Sequence, residues 1–152
     1  MNDSPYVVDA SALINLYHNY PIQKITFEQV WQEIGKLFEE GKIISSSEIF
    51  EEIKDEKLKE WIQQYKSSFI ELDRNTQLKV TEILNKFPQM INIYNPKKSS
   101  SNGDPFLIAT AMIKNGIIVT DEGNGNNKIP AICKCFEIKT INSQQFINNI
   151  LV

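Results

Sequence analysis

The sequence predicts an α/β protein of three layers, α/β/α, on a mainly parallel central sheet of about four to five strands. Short apolar runs alternate with amphipathic segments of helical period along the chain, as expected when helices connect parallel strands. The runs YVV at 6–8 and IIV at 117–119 are continuously apolar, which is typical of strands that helices cover on both faces. Acidic residues follow both runs closely, and ligands of such sheets bind beyond the carboxyl ends of the strands.

The first two strands and their helices are predicted from short signals. YVV, bounded by Pro5 and Asp9, is the first strand, and the helix SALINLYHNY follows it and ends before Pro21. A stripe of apolar residues between 26 and 40 predicts a second helix, and Gly41 stands at the position of its C-cap. KIIS is the second strand.

The middle of the chain is predicted to be mostly helical. SSSEIFEEIKDEKLKEWIQQY is predicted as one long amphipathic helix that opens with a capping box of Ser45 and Glu48. FIELD is a brief extended segment, and NTQLKVTEILNKF is another helix. NPKKSSSNGD then forms a polar loop.

The last third repeats the alternation. DPFLIATAMIKNG is a helix with Pro105 in its first turn and Gly116 just past its end. IIVTDE contains the next strand, GNGNNKIP is a loop, FEIKTI is a further strand, and Ser143 opens a final helix. No internal repeat or linker interrupts the chain, so residues 1–152 are predicted to form one domain.

Composition limits the classes of function. The chain has 152 residues, 41% of them hydrophobic, and a formal net charge of −3, whereas a passive nucleic-acid coat needs a strong basic excess. The N-terminal residues lack the features of a signal peptide, and no stretch reaches the roughly 18 apolar residues of a membrane helix. Cys133 and Cys135, which would share a face if they lay on a strand, are interpreted as reduced thiols. We therefore expect a cytoplasmic protein without a membrane contact.

Four sets of carboxylates are placed to reach one region: Asp9 after the first strand, Glu52 in the helix after the second, Asp104 at the start of the DPFLIATAM helix, and Asp121 with Glu122 after IIVT. Carboxylates that converge repel one another unless a cation lies between them. Oxygen ligands favour Mg²⁺ or Mn²⁺, and such ions activate water and stabilise a leaving oxygen. The chemistry that this pattern indicates is metal-assisted hydrolysis of a phosphodiester.

Each acid also has a simpler interpretation. Asp9 and Asp104 could serve as N-caps of the helices that follow them, although a capping carboxylate can still offer an oxygen outward. In the helix after KIIS, Glu52 lies nearer the edge of the buried face than Glu48 or Glu51, so Glu52 is the candidate ligand there. Lys97 and Lys98 could contact a nucleic-acid backbone, but a solvated loop is the simpler assignment.

These motifs resemble those of PIN-domain nucleases. YVVDASALINLY resembles the opening of that family, in which the first strand ends in a metal-binding Asp followed by a small hydroxyl residue. GDPFLIATAMIKNGIIVTDE is similar to its later signature, and IISSSEIFEEI resembles the segment that supplies a glutamate. The resemblance extends over nearly the whole chain and is closest to a bacterial and archaeal PIN-like branch of unknown function.

The resemblance implies a PIN-like fold, an Mg²⁺- or Mn²⁺-dependent endoribonuclease, and Asp9, Glu52 and Asp104 as metal-site acids. It implies that Ser11 orients Asp9 or a bound water and that Thr120 supports the last acid. The family pattern of Thr, one residue, then Asp places Glu122 in the fourth position, but Asp121 is adjacent and both stay open. Many small PIN domains are toxins of type II toxin–antitoxin pairs, so RNA, a small antitoxin and a second copy of the chain are the implied partners.

Two other functions compete with the nuclease. A PIN-like binding or regulatory module with weak or lost cleavage is favoured by the longer Glu122 side chain and by the lack of a clear basic groove. A receiver-like domain would need paired acids after the first strand and a lysine after the last one. Asp9 has no acidic neighbour, and Lys139 lies within FEIKTI, so the receiver interpretation is the weaker of the two.

Overall fold

The computed structural model describes residues 4–90, 104–123 and 128–151, except for the side chains of Gln89 and Asp104. Most of the predicted loop NPKKSSSNGD and half of the predicted loop GNGNNKIP lie outside the described residues. The fold within them is an α/β arrangement in which helices cover both faces of a parallel sheet.

The sheet of the described residues has five strands, all parallel, in the order β3-β2-β1-β4-β5. The strands are short: β1 (Tyr6–Val8), β2 (Ile43–Ser46), β3 (Phe69–Ile70), β4 (Ile117–Val119) and β5 (Thr140–Ile141). The chain runs from β1 outward to β3 and then returns to the other side of β1 to form β4. The parallel sheet with its helical connections confirms the predicted α/β class. Between β1 and β4, the direction in which the chain adds strands reverses.

Eight α-helices lie within the described ranges: α1 (Ala10–Asn19), α2 (Glu28–Glu39), α3 (Ser47–Glu52), α4 (Glu56–Gln63), α5 (Arg74–Lys86), α6 (Asp104–Lys114), α7 (Ile129–Cys135) and α8 (Ser143–Ile150). Helix α6 packs against β1, β2 and β4, and α5 packs along α6. Helix α2 packs on β2, and α1 contacts α8. Buried Val, Ile, Leu and Phe side chains from these helices and from the strands form the core.

The prediction of one long helix after β2 is wrong, because residues 53–55 interrupt it and separate α3 from α4. Ile53 has an extended backbone, and Asp55 caps α4 by accepting from the N–H groups of Lys57 and Leu58 at 3.0 Å. Ile53 and Leu58 are both buried, yet one continuous helix would separate their directions by about 140°. The break lets each of them face the core. The N-cap of α3 is Ser46 rather than Ser45.

The predictions around the cysteines also need correction. Residues 129–135 form helix α7, which includes the last two residues of the predicted loop GNGNNKIP, and only Thr140–Ile141 of the predicted FEIKTI strand is extended. Ile129, Ile132 and Cys133 are buried, so the apolar residues follow a helical spacing that the sequence already contained. Cys133 is therefore buried while Cys135 is exposed, and they share no face.

Within the residues that the structure describes, none of the helices combines the length and the apolar character that crossing a membrane requires.

The aromatic side chains Trp31, Phe38 and Phe69 are buried, and Trp61 is half-buried against them. The ring centroids of Trp31 and Trp61 are 4.9 Å apart in an edge-on arrangement. These rings belong to the core.

Candidate functional site

The candidate site lies at the carboxyl ends of β1 and β4, where the direction in which the chain adds strands to the sheet reverses. Strands β1 and β4 are neighbours, with Val8 paired to Val119, so Asp9 and Thr120 leave the sheet side by side. The backbone N–H of Asp9 donates to the Val119 carbonyl at 2.9 Å, which extends the pairing by one step. In parallel α/β sheets, the crevice at such a reversal is the usual place for a ligand.

Asp9 is a buried carboxylate surrounded by hydrogen-bond donors. The residue is only 4% exposed. One oxygen, Oδ1, accepts from the backbone N–H of Ala10 at 2.8 Å, so Asp9 caps helix α1. The other oxygen, Oδ2, accepts from the hydroxyls of Ser11 at 2.7 Å and Thr120 at 2.9 Å. Burial nevertheless raises the pKa of Asp9, although these hydrogen bonds oppose the shift.

The two hydroxyls connect Asp9 to the segment that follows β4. The Ser11 hydroxyl accepts from the backbone N–H of Asp121 at 3.1 Å, and the Thr120 hydroxyl accepts from that of Glu122 at 3.2 Å. Each hydroxyl thus accepts one hydrogen bond from the segment and donates one to the same oxygen of Asp9. Ser11 and Thr120 therefore fix both the rotamer of Asp9 and the path of the chain after β4.

Glu122 is the second acid of this region. It is half-buried, and its Oε2 accepts from the backbone N–H of Ile129 at the start of α7 at 3.0 Å. The pKa of Glu122 is raised mainly by burial and also by the charge of Asp9, while the Ile129 hydrogen bond and Lys128 act in the opposite direction. Two carboxylates whose charged forms are disfavoured by burial thus act on each other.

Asp121 makes different contacts from Glu122. Its Oδ1 accepts from the backbone N–H of Ser143 at 2.7 Å. Its Oδ2 accepts from the Ser143 hydroxyl at 2.6 Å and from the side-chain amide of Asn15 at 2.7 Å. The two adjacent acids that the sequence left open are therefore distinguished by their surroundings: Glu122 accepts from the start of α7, and the charge of Asp9 raises its pKa, whereas Asp121 joins α1 to α8.

The other two predicted acids lie at helix ends. Glu52 is half-buried and is the last residue of α3, which directly follows β2 and contacts α1 and α6. Asp104 is the first residue of α6, and its side chain lies outside the described part of the structure. Among the described side chains, no group of three or more histidine, cysteine, aspartate or glutamate residues is arranged to hold one metal ion.

An open polar cavity of about 510 Å³ adjoins the acids. Its lining includes Thr120, Asp121 and Glu122 after β4 and Asn142, Ser143 and Gln144 at the start of α8. The cavity gives a polar ligand access to Glu122 from the carboxyl ends of β4 and β5.

Asn15 and Ser143 take part in the hydrogen bonds of this region, although the sequence did not single them out for it. Asn15 lies one helical turn after Ser11, so both side chains leave the same face of α1. That spacing was the available signal. Ser143 carried no comparable signal, because its contact with Asp121 spans 22 positions of sequence.

Fold and site together define an α/β protein with a buried, hydroxyl-supported carboxylate at the reversal of a parallel sheet. The chain belongs to the family described as a domain of unknown function (DUF4411), whose model matches residues 6–151. No curated protein matches the chain.

Proposed function

We propose that the protein is a PIN-like, metal-dependent endoribonuclease and the toxin of a type II toxin–antitoxin pair. One observation carries the proposal: Asp9 is held rigidly at the carboxyl end of β1, at the reversal point of the sheet, next to a second acid after β4. A carboxylate with no more than a structural role could have been replaced there by asparagine or serine, which also cap helices without the cost of burying a charge.

The donor set of the site fits a hard divalent cation. Asp9 and Glu122 present carboxylate oxygens, and Mg²⁺ and Mn²⁺ prefer such ligands. A cation between the two acids would remove their mutual repulsion and offset the desolvation that raises the pKa of each. When bound, Mg²⁺ or Mn²⁺ supplies an activated water and charge stabilisation for the leaving oxygen of a phosphodiester.

The residues of the chain have separate parts in this proposal. Asp9 and Glu122 hold the cation, with Glu52 and Asp104 as the further ligands that the sequence motifs indicate. Ser11 and Thr120 keep Asp9 in one rotamer, so that its charge is directed before the substrate arrives. The polar cavity beside Glu122 receives the nucleic-acid strand.

The substrate and partners follow from chemistry and from the PIN-like motifs. A compact site of this kind reaches the splayed nucleotides of single-stranded or loop RNA more easily than a closed duplex. The net charge of −3 gives little nonspecific attraction to phosphates, so the bound cation supplies much of the attraction to RNA. A small antitoxin covers the site in the resting state, and a homodimer is the proposed assembly.

The direct test is cleavage of end-labelled structured and unstructured RNAs with Mn²⁺, Mg²⁺ or EDTA. The variants are Asp9→Asn, Asp104→Asn and Glu52→Gln, with Glu51→Gln as the matched control for Glu52, because Glu51 precedes it on α3 and is exposed. We expect metal-dependent cleavage by the wild type and by Glu51→Gln, and at least a roughly 100-fold loss in the other three. Equal cleavage by wild type and Asp9→Asn would refute the assignment of the site.

A binding module without cleavage is the second candidate. Its support is that Oε2 of Glu122 is already occupied by the N–H of Ile129, which reduces the oxygens that Glu122 can offer to a metal. Such a module would bind RNA with equal affinity in the presence of Mn²⁺ or EDTA and would tolerate Asp104→Asn. Filter binding with the same RNA panel separates the two functions.

A further inference from the structure

Asp121 is the most strongly anchored acid that the proposed chemistry does not use. Both its backbone and its side chain are fixed: the backbone N–H donates to the Ser11 hydroxyl, and the carboxylate accepts three hydrogen bonds from Ser143 and Asn15. The three side-chain contacts lie between 2.6 and 2.7 Å, within the range of charge-assisted hydrogen bonds. The carboxylate is thus committed to donors from two helices that are distant in sequence.

These anchors determine where Glu122 lies. Glu122 follows Asp121 directly, and its own backbone N–H is held by Thr120. Ser11 and Asn15 lie one turn apart on α1, and together they hold the backbone and the side chain of Asp121 against that helix. Ser143 ties the same residue to the first turn of α8. The peptide that carries Glu122 is consequently fixed between α1 and α8.

We propose that Asp121 is a positioning residue and not a metal ligand: it locks the segment after β4 between α1 and α8 so that Glu122 faces Asp9. The proposal rests on the proposed nuclease site and assigns the fourth acid of that site to Glu122 alone. It also adds Asn15 and Ser143 to the residues on which the site depends.

Two variants separate positioning from metal binding. Asp121→Asn removes the charge but keeps the anchors, because the Asn15 amide can flip and the Ser143 hydroxyl can rotate to accept from the new amide. The double variant Asn15→Ala/Ser143→Ala keeps the carboxylate but removes two of its three donors. The matched control is Asn19→Ala/Asn148→Ala, which removes exposed polar groups further along the same two helices.

Two measurements on the full chain are needed. Amide hydrogen exchange of Asp121, Glu122 and Gly123, without metal, reports the position of the segment. Titration of Mn²⁺, followed by its paramagnetic resonance signal, reports the metal site without any need for RNA cleavage.

Positioning predicts that Asn15→Ala/Ser143→Ala exchanges at least about tenfold faster at these amides and binds Mn²⁺ about 10- to 100-fold more weakly. Asp121→Asn and the control should stay within about threefold of the wild type in both measurements. The reverse pattern, with Mn²⁺ affinity lost in Asp121→Asn and kept in the double variant, would overturn the proposal and make Asp121 a ligand.

Failure of the underlying function gives a different result. If the wild type binds no Mn²⁺ and cleaves no RNA, the nuclease proposal falls, and exchange alone still decides the role of Asp121. Unchanged exchange in the double variant then overturns the positioning role, and faster exchange supports it.

Discussion

The carboxylate of Asp9 both caps α1 and accepts hydrogen bonds from two hydroxyls. These two uses are compatible because they employ different oxygens of one side chain. The arrangement costs free energy because a carboxylate is removed from water: Asp9 is only 4% exposed, and this burial raises its pKa. A residue that bears such a cost next to a second acid is a candidate for function.

Thr120 can be tested by removing its hydroxyl alone. In Thr120→Val, Asp9 loses a donor and the backbone N–H of Glu122 loses its acceptor. We expect the free energy of unfolding to fall by about 1–3 kcal/mol and Mn²⁺ affinity to fall about 10- to 100-fold. Urea denaturation and Mn²⁺ titration measure these two quantities.

Thr110→Val is the control for that substitution. Thr110 is equally buried, but its hydroxyl donates only to the Phe106 carbonyl within α6 at 2.8 Å. Its loss should cost less than about 1 kcal/mol, because a back-bonded hydroxyl adds little to a helix. If the two variants had the same effect on Mn²⁺ affinity, the hydroxyl of Thr120 would have no special part in the site.

At the scale of elements, helix ends and close helix contacts decide details that periodicity misses. Asp55 caps α4 and so begins a new helix within the segment that was predicted as one long helix. The helical spacing of apolar residues is only approximate across this interruption. Helix α7 escaped prediction because Gly, Asn and Pro residues precede and enter it and favour a loop assignment. In both cases, burial of particular apolar side chains selects the local conformation.

Gly35 allows α2 to pack closely against the residues after α4. A β-carbon at this position would overlap the hydroxyl oxygen of Tyr65, whose ring is stacked on Phe38 at 5.0 Å. We expect Gly35→Ala to destabilise the protein by about 1–3 kcal/mol, although alanine is the better helix former. In a Tyr65→Phe background the substitution should cost less, because the overlap with the hydroxyl is gone while the ring carbon Cζ still lies 3.2 Å from the added β-carbon, and a double-mutant cycle by urea denaturation measures the difference. A coupling energy of zero would contradict the predicted overlap.

Asp73, the N-cap of α5, provides a test by pH. Its carboxylate accepts from the backbone N–H and the hydroxyl of Thr76, both at 2.8 Å, and these bonds hold its pKa below the usual value of 3.8. Because its pKa is lower in the folded than in the unfolded state, the Asp73 carboxylate stabilises the folded state at pH values above 3.8. This contribution is lost as the pH falls through the pKa that Asp73 has in the folded state.

Asp73→Ala should therefore be less stable than the wild type at neutral pH, and the difference in unfolding free energy should narrow as the pH falls below 3.8. Urea denaturation across this range measures it. A difference that stays constant down to about pH 3 would show that Asp73 stabilises α5 without its charge.

For the whole molecule, the strand order matters more than any single motif. The order β3-β2-β1-β4-β5 places the ends of β1 and β4 side by side. Asp9 and Thr120 meet there although they lie 111 positions apart in the sequence. A cation at this junction would connect the two halves of the sheet and stabilise the folded chain as a whole.

Metal should therefore raise the melting temperature under the proposed function. At a Mn²⁺ concentration of about 100 times the Kd, binding to the folded state alone adds about 2.7 kcal/mol, or about 5–10 °C for a chain of 152 residues. Thermal unfolding with Mn²⁺ and with EDTA measures the shift. Asp9→Asn should lose it and Glu51→Gln should keep it. An equal shift in Asp9→Asn would place the metal elsewhere.

Much of this arrangement could be predicted from the sequence. Continuous apolar runs predicted β1 and β4 as buried strands, because strands that helices cover on both faces do not need to alternate with polar side chains, and the shorter run KIIS predicted β2. Asp9 directly after the first run, and Asp121 and Glu122 shortly after the IIV run, marked the carboxyl edge of the sheet. These features are local, so composition and spacing over a few residues are sufficient to predict them.

Only the tertiary structure distinguished the surroundings of Asp121 and Glu122. The two acids are adjacent and chemically alike, and their difference lies in Ser143, Asn15 and Ile129, which reach them from other elements. The sequence determined which residues carry charge at the ends of the strands. The packing of α1, α7 and α8 decided which donors surround each charge, because hydrogen bonds between distant segments depend on the completed fold and leave no periodic trace in the chain.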